Sequence, residues 1–184
     1  MRLFYFKLKE INQKLPTKIT NHIESYKDIK RKTTSLYTWQ HLTYILKTKY
    51  QIELKNEIIE FYLNGKPDLI NQSVYFSLSH SGEYGVVLIS DTVCGVDIQQ
   101  EFDNLKLANK ILNDIEKEEF VRSKNPKDYL NKKWVMKEAY AKAIGFGLNS
   151  EVYQKTADIS HVIKIDNYYL ACYPEKDFEI EVFE

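Results

Sequence analysis

The sequence predicts an α+β fold built from antiparallel sheets and a few long helices. Short runs of alternating or β-branched residues indicate strands, and most are separated by turns too short to hold a crossover helix. Two longer segments carry apolar residues at helical spacing. The 184 residues are 43% hydrophobic and 28% charged, an ordinary globular balance that excludes a disordered chain.

The first third of the chain predicts a strand, a helix and a second strand. Residues 2–8 alternate as a strand does, and residues 39–50 place apolar side chains at helical spacing. Residues 58–63 are β-branched and aromatic, and the Asn64-Gly65 pair that follows is a turn signal.

The remaining two thirds predict six further strands around two helices. Residues 104–120 and 128–144 are expected to be helical, with Gly145 as the left-handed residue that ends the second helix. The strands are expected at residues 74–78, 84–89, 93–98, 161–165, 168–173 and 178–183.

Composition favours an intracellular protein. No segment approaches the roughly 20 consecutive apolar residues of a membrane helix, and the N-terminal segment lacks the long apolar stretch of a signal peptide. Cys94 and Cys172 lie in apolar, strand-like runs and are expected to be free thiols. We therefore expect a cytoplasmic protein.

The formal net charge is zero, but the charges are unevenly distributed. Residues 1–66 contain 13 Lys and Arg against 6 Asp and Glu, whereas residues 67–184 contain 13 against 20. A basic half joined to an acidic half suits a site that binds a polyanion and holds a metal ion with carboxylates. Accidental drift of surface charge explains the same counts equally well.

The second predicted helix carries charged residues on an otherwise apolar or small-residue surface. Trp134, Glu138 and Lys142 are four residues apart and share one helix face. Glu138 and Lys142 are either an ordinary surface pair, which contributes about 0.2–0.5 kcal/mol, or two residues that line a site. The small solvent-facing fraction of this helix favours the site.

Asp97 interrupts a strand whose other residues look buried, and a buried carboxylate needs a donor, a basic residue or a metal ion. Together with Glu138 it would make a two-carboxylate site suited to Mg²⁺. His80 lies between two serines and is either an ordinary turn residue or a donor to phosphate. No second histidine stands at metal-ligand spacing, so zinc is not expected.

Three segments in order resemble the signature of the 4′-phosphopantetheinyl transferases. Residues 76–82 (FSLSHSG) resemble its Ser-His segment, and residues 95–99 (GVDIQ) resemble its Gly-(Ile/Val)-Asp-(Ile/Val)-Glu strand. Residues 134–147 resemble its Trp-x-x-Lys-Glu-(Ala/Ser)-x-x-Lys helix followed by glycines, and residues 65–67 (GKP) resemble a further element. The aspartate strand lies in the middle of this chain, which resembles the surfactin-synthetase-activating type. In the short trimeric holo-acyl-carrier-protein synthases that strand lies near the N-terminus.

The resemblance implies an α+β pseudodimer, one monomeric unit over residues 1–184 with the site between two α/β halves. Residues 1–90 would contact the phosphates of coenzyme A, and residues 91–184 would hold the metal site and dock the carrier. The implied reaction transfers 4′-phosphopantetheine from coenzyme A to a serine of an apo acyl or peptidyl carrier protein and releases 3′,5′-ADP. Its implied metal is Mg²⁺ or Mn²⁺, and no nucleic acid or membrane partner is implied.

The resemblance also implies residue roles. Asp97 and Glu138 match the metal-binding acids, Gln99 stands where a third acid is usual, and the implied catalytic residues are Glu138, Lys142 and Asp97. The implied coenzyme A contacts are Lys27, Lys30, Arg31, Lys66, Ser79, His80 and Lys142.

The carrier would dock on a surface that begins just after the aspartate strand. Residues 108–112, with Glu116 beyond them, resemble the family's docking helix, and Ile111 and Leu112 are expected to be exposed there.

Three other functions fit parts of the same sequence. A Mg²⁺-dependent phosphodiester hydrolase would use the same two carboxylates with water as the acceptor. A non-catalytic relative that only binds carrier or coenzyme A is suggested by Gln99 alone. RNA binding through the lysine-rich first third lacks the aromatic and basic signature of a known RNA module.

Overall fold

The computed structural model describes residues 1–62, 65–147, 149–155, 162–174 and 177–183. The strands are β1 (Arg2–Lys7), β2 (Ile59–Phe61), β3 (Pro67–Leu69), β4 (Tyr75–Ser81), β5 (Tyr84–Ser90), β6 (Gly95–Gln100), β7 (Val162–Ile165), β8 (Tyr168–Tyr173) and β9 (Glu179–Phe183). The helices are α1 (Thr17–Glu24), α2 (Ile29–Tyr50), α3 (Ala108–Ile111), α4 (Asp114–Arg122), α5 (Pro126–Ile144) and α6 (Ser150–Gln154), with a 3₁₀ turn at Leu105–Leu107.

The strands form two main sheets. One has the order β4-β5-β1-β9 and the other has the order β6-β8-β7, while β2 and β3 pair separately. The pairings are antiparallel, as predicted, with the exception of the parallel pair β1–β9. The α+β class is therefore confirmed.

The two main sheets pack face to face between helices. Leu3 and Leu88 of the first sheet share a buried cluster with Val96, Ile98 and Leu170 of the second. Alternate residues of the first sheet point to the opposite face, where they pack on α1 and α2, and α5 covers the outer face of the second sheet. This four-layer arrangement explains why β1 is apolar on both faces.

The predicted helix over residues 104–120 is wrong as a single element. The structure has a 3₁₀ turn, α3 and α4 in its place. The break occurs because Asn113 begins a new helix: its side chain accepts from Glu116 N, and the Glu116 carboxylate accepts from Asn113 N. This reciprocal capping box satisfies the first free N–H groups of α4 and fixes its start.

The same break overturns the expected exposure of the docking residues. Ile111 and Leu112 are each 1% exposed, because they pack with Leu130 of α5 in a small cluster. They hold α3 against α5 and cannot contact a partner.

The start of helix α2 also differs from the prediction. Helix α2 begins ten residues before the predicted start at 39, because the side chain of Asp28 caps its first turn. Gly145 ends α5 with φ 77°, as predicted. The predicted turn residue Asn64 and the predicted strand residue His161 lie outside the described residues.

The two cysteines are in the state that the sequence predicted. Cys94 and Cys172 are buried free thiols. Over the described ranges, no helix combines the length and apolar character needed to cross a membrane.

Candidate functional site

The site is built where β6 touches α5. A Cβ placed on Gly95 would lie 1.9 Å from the carbonyl oxygen of Ala139 and 2.6 Å from the backbone N of Ala143. Only glycine therefore allows this close approach of strand and helix. Asp97 follows on the strand and Glu138 precedes Ala139 on the helix, so the approach brings the two carboxylates together.

Asp97 is 5% exposed, and its side-chain hydrogen bonds among the described residues all go to one carboxylate oxygen. Its Oδ1 accepts from the Ser79 hydroxyl and from Lys142 Nζ, each at 2.7 Å. Its Oδ2 is buried and has no hydrogen-bond partner among the described residues. A buried carboxylate oxygen with free lone pairs is costly unless it has a ligand, and it suits a divalent cation.

Glu138 has the electrostatic character of a functional carboxyl. Burial and the nearby charge of Asp97 raise its pKa from 4.5 to about 7, and Lys142 opposes the shift. A divalent cation between the two carboxylates would relieve both the burial and the repulsion. Mg²⁺ commonly takes one or two protein carboxylates and completes its shell with water and phosphate oxygens, so these two acids fit such an ion.

A cavity of about 410 Å³ joins these acids to the N-terminal part of the chain. Strand β4 and helices α1 and α2 form one side, and β6 and α5 form the other. Its lining residues are His22, Tyr26, Arg31, Ser35, Trp39, Gly65, Pro67, Leu78, Ser79, His80, Asp97, Ile98, Gln99, Trp134, Glu138 and Lys142.

Gln99 lines this cavity two residues beyond Asp97, where the sequence suggested a third metal ligand. Its side-chain amide donates to the carbonyl oxygen of Gln100 at 3.0 Å. Direct contact between Gln99 and a metal ion stays a prediction.

His80 lies inside β4 rather than in the turn that the sequence suggested. Burial, followed by the charges of Lys142 and Arg31, lowers its pKa from 6.5 to about 4. The imidazole is therefore uncharged near pH 7, and its one N–H group can donate to a ligand. Its two cationic neighbours make the position attractive to a phosphate group.

The basic residues predicted from the first half do not all meet the site. Arg31 lines the cavity, and its guanidinium lies over the Tyr26 ring, 4.3 Å from the centroid. Lys27 and Lys30 are exposed and lie outside the cavity lining. Their contacts with coenzyme A remain predictions.

Lys66 lies at a second, mostly apolar cavity of about 240 Å³ that also reaches Glu138 and Lys142. Its Nζ donates to the carbonyl oxygen of Ala143 at 2.5 Å, and burial lowers its pKa. This lysine therefore satisfies a carbonyl at the C-terminal end of α5 and stands beside the site.

Sequence reasoning missed an aromatic wall of the main cavity. His22 stacks on Phe61 with a centroid distance of 4.3 Å, and its Nε2 is hydrogen-bonded to the Tyr26 hydroxyl at 2.8 Å. Trp39 continues this wall. Helix α1, which carries His22, had no predicted counterpart, so no signal placed these residues near Asp97.

Comparison with known proteins gives a family match for part of the chain. Residues 93–179 match the model of a family described as the 4′-phosphopantetheinyl transferase superfamily. Over residues 93–179 the chain is similar to this superfamily. The matched region contains Asp97, Glu138 and Lys142, whereas Ser79 and His80 precede it.

The curated relatives of the superfamily cover the chain only in part. It is 29% identical to 4′-phosphopantetheinyl transferase psf-1 of Bacillus pumilus over 65% of this chain and 53% of that protein. It is 34% identical to 4′-phosphopantetheinyl transferase gsp of Aneurinibacillus migulanus over 56% of this chain and 47% of that one. The chain thus spans about half the length of the curated relatives it matches.

A solved structure, the holo-[acyl-carrier-protein] synthase of Thermotoga maritima, has a TM-score of 0.36 and 24% identity to this chain. The match covers 44% of this chain and 61% of that one. A similarity at this level carries no argument about how the two halves are arranged.

Replacing Gly95 with Ala is expected to push α5 away from β6 and to lower the free energy of unfolding by about 1–3 kcal/mol, as overpacking does. Gly147→Ala is the matched control, because a Cβ at Gly147 meets no atom within 4 Å and only its positive φ opposes the substitution. Urea unfolding of both variants measures the difference. Equal losses would show that the close approach at Gly95 is unimportant.

Glu138→Gln is expected to stabilise the metal-free protein at pH 8 by about 2 kcal/mol and to have little effect at pH 5. A raised pKa means that the folded protein holds a proton that the unfolded chain loses, so stability falls as the pH rises from 4.5 to about 7. Glutamine avoids this loss. Urea unfolding in EDTA at both pH values tests it, with exposed Glu10→Gln as the control. Equal stability at pH 8 would contradict the buried, charged carboxylate.

Proposed function

We propose that this protein transfers the 4′-phosphopantetheine group of coenzyme A to a serine hydroxyl of an apo acyl or peptidyl carrier protein and releases 3′,5′-ADP. The observation that carries the proposal is the meeting of Asp97, Glu138 and Lys142 at one end of a cavity. Arg31 and His80 line the same cavity, in positions suited to phosphate. The match of residues 93–179 to the 4′-phosphopantetheinyl transferase superfamily supports this chemistry over the alternatives.

Asp97 and Glu138 would hold Mg²⁺ or Mn²⁺, with Gln99 as a candidate third ligand. The bound ion would neutralise charge on the pyrophosphate of coenzyme A and stabilise the leaving phosphate. The buried Oδ2 of Asp97 and the raised pKa of Glu138 both fit such an ion.

Lys142 has a second task beside the carboxylates. Its Nζ lies 2.7 Å from Asp97 Oδ1 and its side chain is 30% exposed, so the ammonium group is within reach of a ligand in the cavity. A fixed cation placed where negative charge develops stabilises the transition state without reorganisation. We assign Lys142 to the reacting phosphate, and His80 with Arg31 to the 3′-phosphate. Lys66, at the neighbouring cavity, is proposed to lie along the nucleotide.

Glu138 is the group best suited to accept the proton of the carrier serine. The serine oxygen attacks the phosphorus attached to pantetheine, and the bond to the bridging oxygen breaks. The electron pair leaves on 3′,5′-ADP, and the serine proton goes to the Glu138 carboxylate. A bound cation would lower the pKa of Glu138 and keep its carboxylate ionised, as a proton acceptor must be.

The two halves of the chain would act as a monomeric pseudodimer. In each half a strand, β1 or β6, precedes one long helix, α2 or α5, and an antiparallel pair follows, β4–β5 or β7–β8. Residues 1–90 supply Arg31, Lys66 and His80, and residues 91–184 supply the acids. This division supports a site formed between related halves.

The carrier is proposed to dock on α4 and on the 3₁₀ turn that precedes α3. Ile115 is 71% exposed and Leu105 is 43% exposed, whereas the originally expected Ile111 and Leu112 are buried. The exposed lysines Lys106 and Lys110 are close in sequence to Leu105. They would attract a carrier with an acidic surface.

Mass spectrometry of an apo carrier protein tests the activity. Incubation with this protein, coenzyme A and Mg²⁺ is expected to add one phosphopantetheine group to the carrier serine, and EDTA is expected to prevent it. Glu138→Gln is expected to lower the rate about a hundredfold or more, while exposed Glu10→Gln keeps it.

The outcomes separate the alternatives. Hydrolysis of coenzyme A without carrier modification would favour the phosphodiester hydrolase. Binding of coenzyme A with no reaction on several carriers would favour the non-catalytic relative, and Gln99→Glu would be the first attempt at restoration. Normal turnover by Glu138→Gln would remove its role as the base.

Ile115→Glu is expected to raise the KM for the carrier about tenfold and to leave the KM for coenzyme A unchanged, because it places a charge in an apolar contact. Ile29→Glu is the matched control, since Ile29 is 79% exposed at the start of α2. Steady-state kinetics with each substrate varied in turn makes the measurement. An unchanged carrier KM would place the docking surface elsewhere.

A further inference from the structure

Strand β4 presents three alternate serines to the second sheet. Ser77, Ser79 and Ser81 lie on one face of the strand, opposite the face that carries His80. Ser77 is 7% exposed and Ser79 is 6% exposed. Each of the three hydroxyls makes a hydrogen bond to β6 or to its aspartate.

Ser77 and Ser81 hold the backbone of β6 on both sides of Asp97. The Ser77 hydroxyl accepts from Val96 N at 3.0 Å, and the Ser81 hydroxyl accepts from Gln100 N at 2.9 Å. Strand β6 is at the edge of its sheet, with β8 on its other side. The serine hydroxyls therefore satisfy edge N–H groups that no neighbouring strand of that sheet would pair with.

Ser79 holds the carboxylate itself. Its hydroxyl accepts from Lys142 Nζ and donates to Asp97 Oδ1, each at 2.7 Å. Asp97 Oδ1 therefore accepts two hydrogen bonds, from Ser79 and Lys142. Its Oδ2 has no hydrogen-bond partner in the described part of the chain. The orientation of the carboxylate is thereby fixed from the side of β4.

The other side of β6 is fixed by α5. Gly95 lies against the backbone of Ala139 and Ala143, with no room for a methyl group. The strand segment that carries Asp97 is therefore clamped between a serine face and a helix. A shift of β6 away from β4 would move Asp97 relative to Glu138.

We propose that Ser77, Ser79 and Ser81 are positioning residues that hold the Asp97 carboxylate in the geometry required to bind the divalent cation. Ser77 and Ser81 act through the backbone of β6, and Ser79 acts through Asp97 Oδ1 and Lys142. The inference rests on the proposed function, since it concerns the metal end of that site. It assigns the serines a role distinct from contact with coenzyme A.

The test measures Mn²⁺ binding by the full chain in the presence of coenzyme A, using the electron paramagnetic resonance signal of free Mn²⁺. Ser77→Ala, Ser79→Ala and Ser81→Ala are each expected to raise the Kd for Mn²⁺ about tenfold, the effect typical of groups that orient a metal ligand. Ser81→Thr keeps a hydroxyl and is expected to restore the affinity.

Ser90→Ala is the matched control. Ser90 is also a buried serine, 4% exposed on neighbouring β5, but its hydroxyl bonds to Asp91 and Thr92 in the following turn. This variant is expected to lose stability without a change in Mn²⁺ affinity. Circular dichroism and thermal unfolding of every variant separate a loss of fold from a loss of position.

Affinities of the folded Ser→Ala variants within twofold of the parent would overturn the inference. Should Ser77→Ala fail to fold, the less buried Ser81 and the Ser81→Thr rescue decide the matter. A parent protein that binds Mn²⁺ but modifies no carrier would refute the proposed function and leave the serine test intact. A parent that modifies carriers while the serine variants keep their affinity would refute the serine role alone.

Discussion

The close contact between β6 and α5 at Gly95 is the constraint on which the site depends. Because only a hydrogen fits between this strand and the backbone of Ala139, the strand lies directly on the helix. Asp97 and Glu138 then share a poorly solvated space, where carboxylates repel each other and favour a cation. The same close packing that stabilises the domain thus creates the electrostatic need for a metal ion.

A second buried charge pair orients the helix that carries Glu138. Lys137 and Glu116 are each 2% exposed, and their charged atoms are 2.8 Å apart. Lys137 also donates to the carbonyl oxygens of Tyr153 and Lys155, so it ties α4 and the end of α6 to α5. Breaking such a pair leaves an uncompensated buried charge, so rotation of α5 is strongly opposed. Lys137 therefore anchors α5 in the core, while the adjacent Glu138 lines the cavity of the site.

The sequence was sufficient for features governed by local chemistry. Gly145 as the left-handed residue after α5 follows from backbone preferences alone. The expected alternation of residues 2–8 is wrong, because β1 lies in the inner part of the four-layer arrangement and is buried on both faces. The break at Asn113 was missed because an apolar run hid a capping box, and the burial of Ile111 and Leu112 depends on a tertiary contact with α5. The spacing of the motifs predicted Asp97 and Glu138 as site residues. It did not predict the aromatic residues that line the cavity beside them.

The serines of β4 show why a motif can be found before its role is understood. A Ser-x-Ser-His-Ser pattern suggests ligand contacts, yet alternation puts its serines and its histidine on opposite faces of the strand. His80 lines the cavity with Lys142 and Arg31, whose positive charges favour a phosphate group there. The serines hydrogen-bond to β6 and its aspartate. One strand therefore links the two parts of the site: any force that displaces β4 moves the phosphate-binding side and the metal side together.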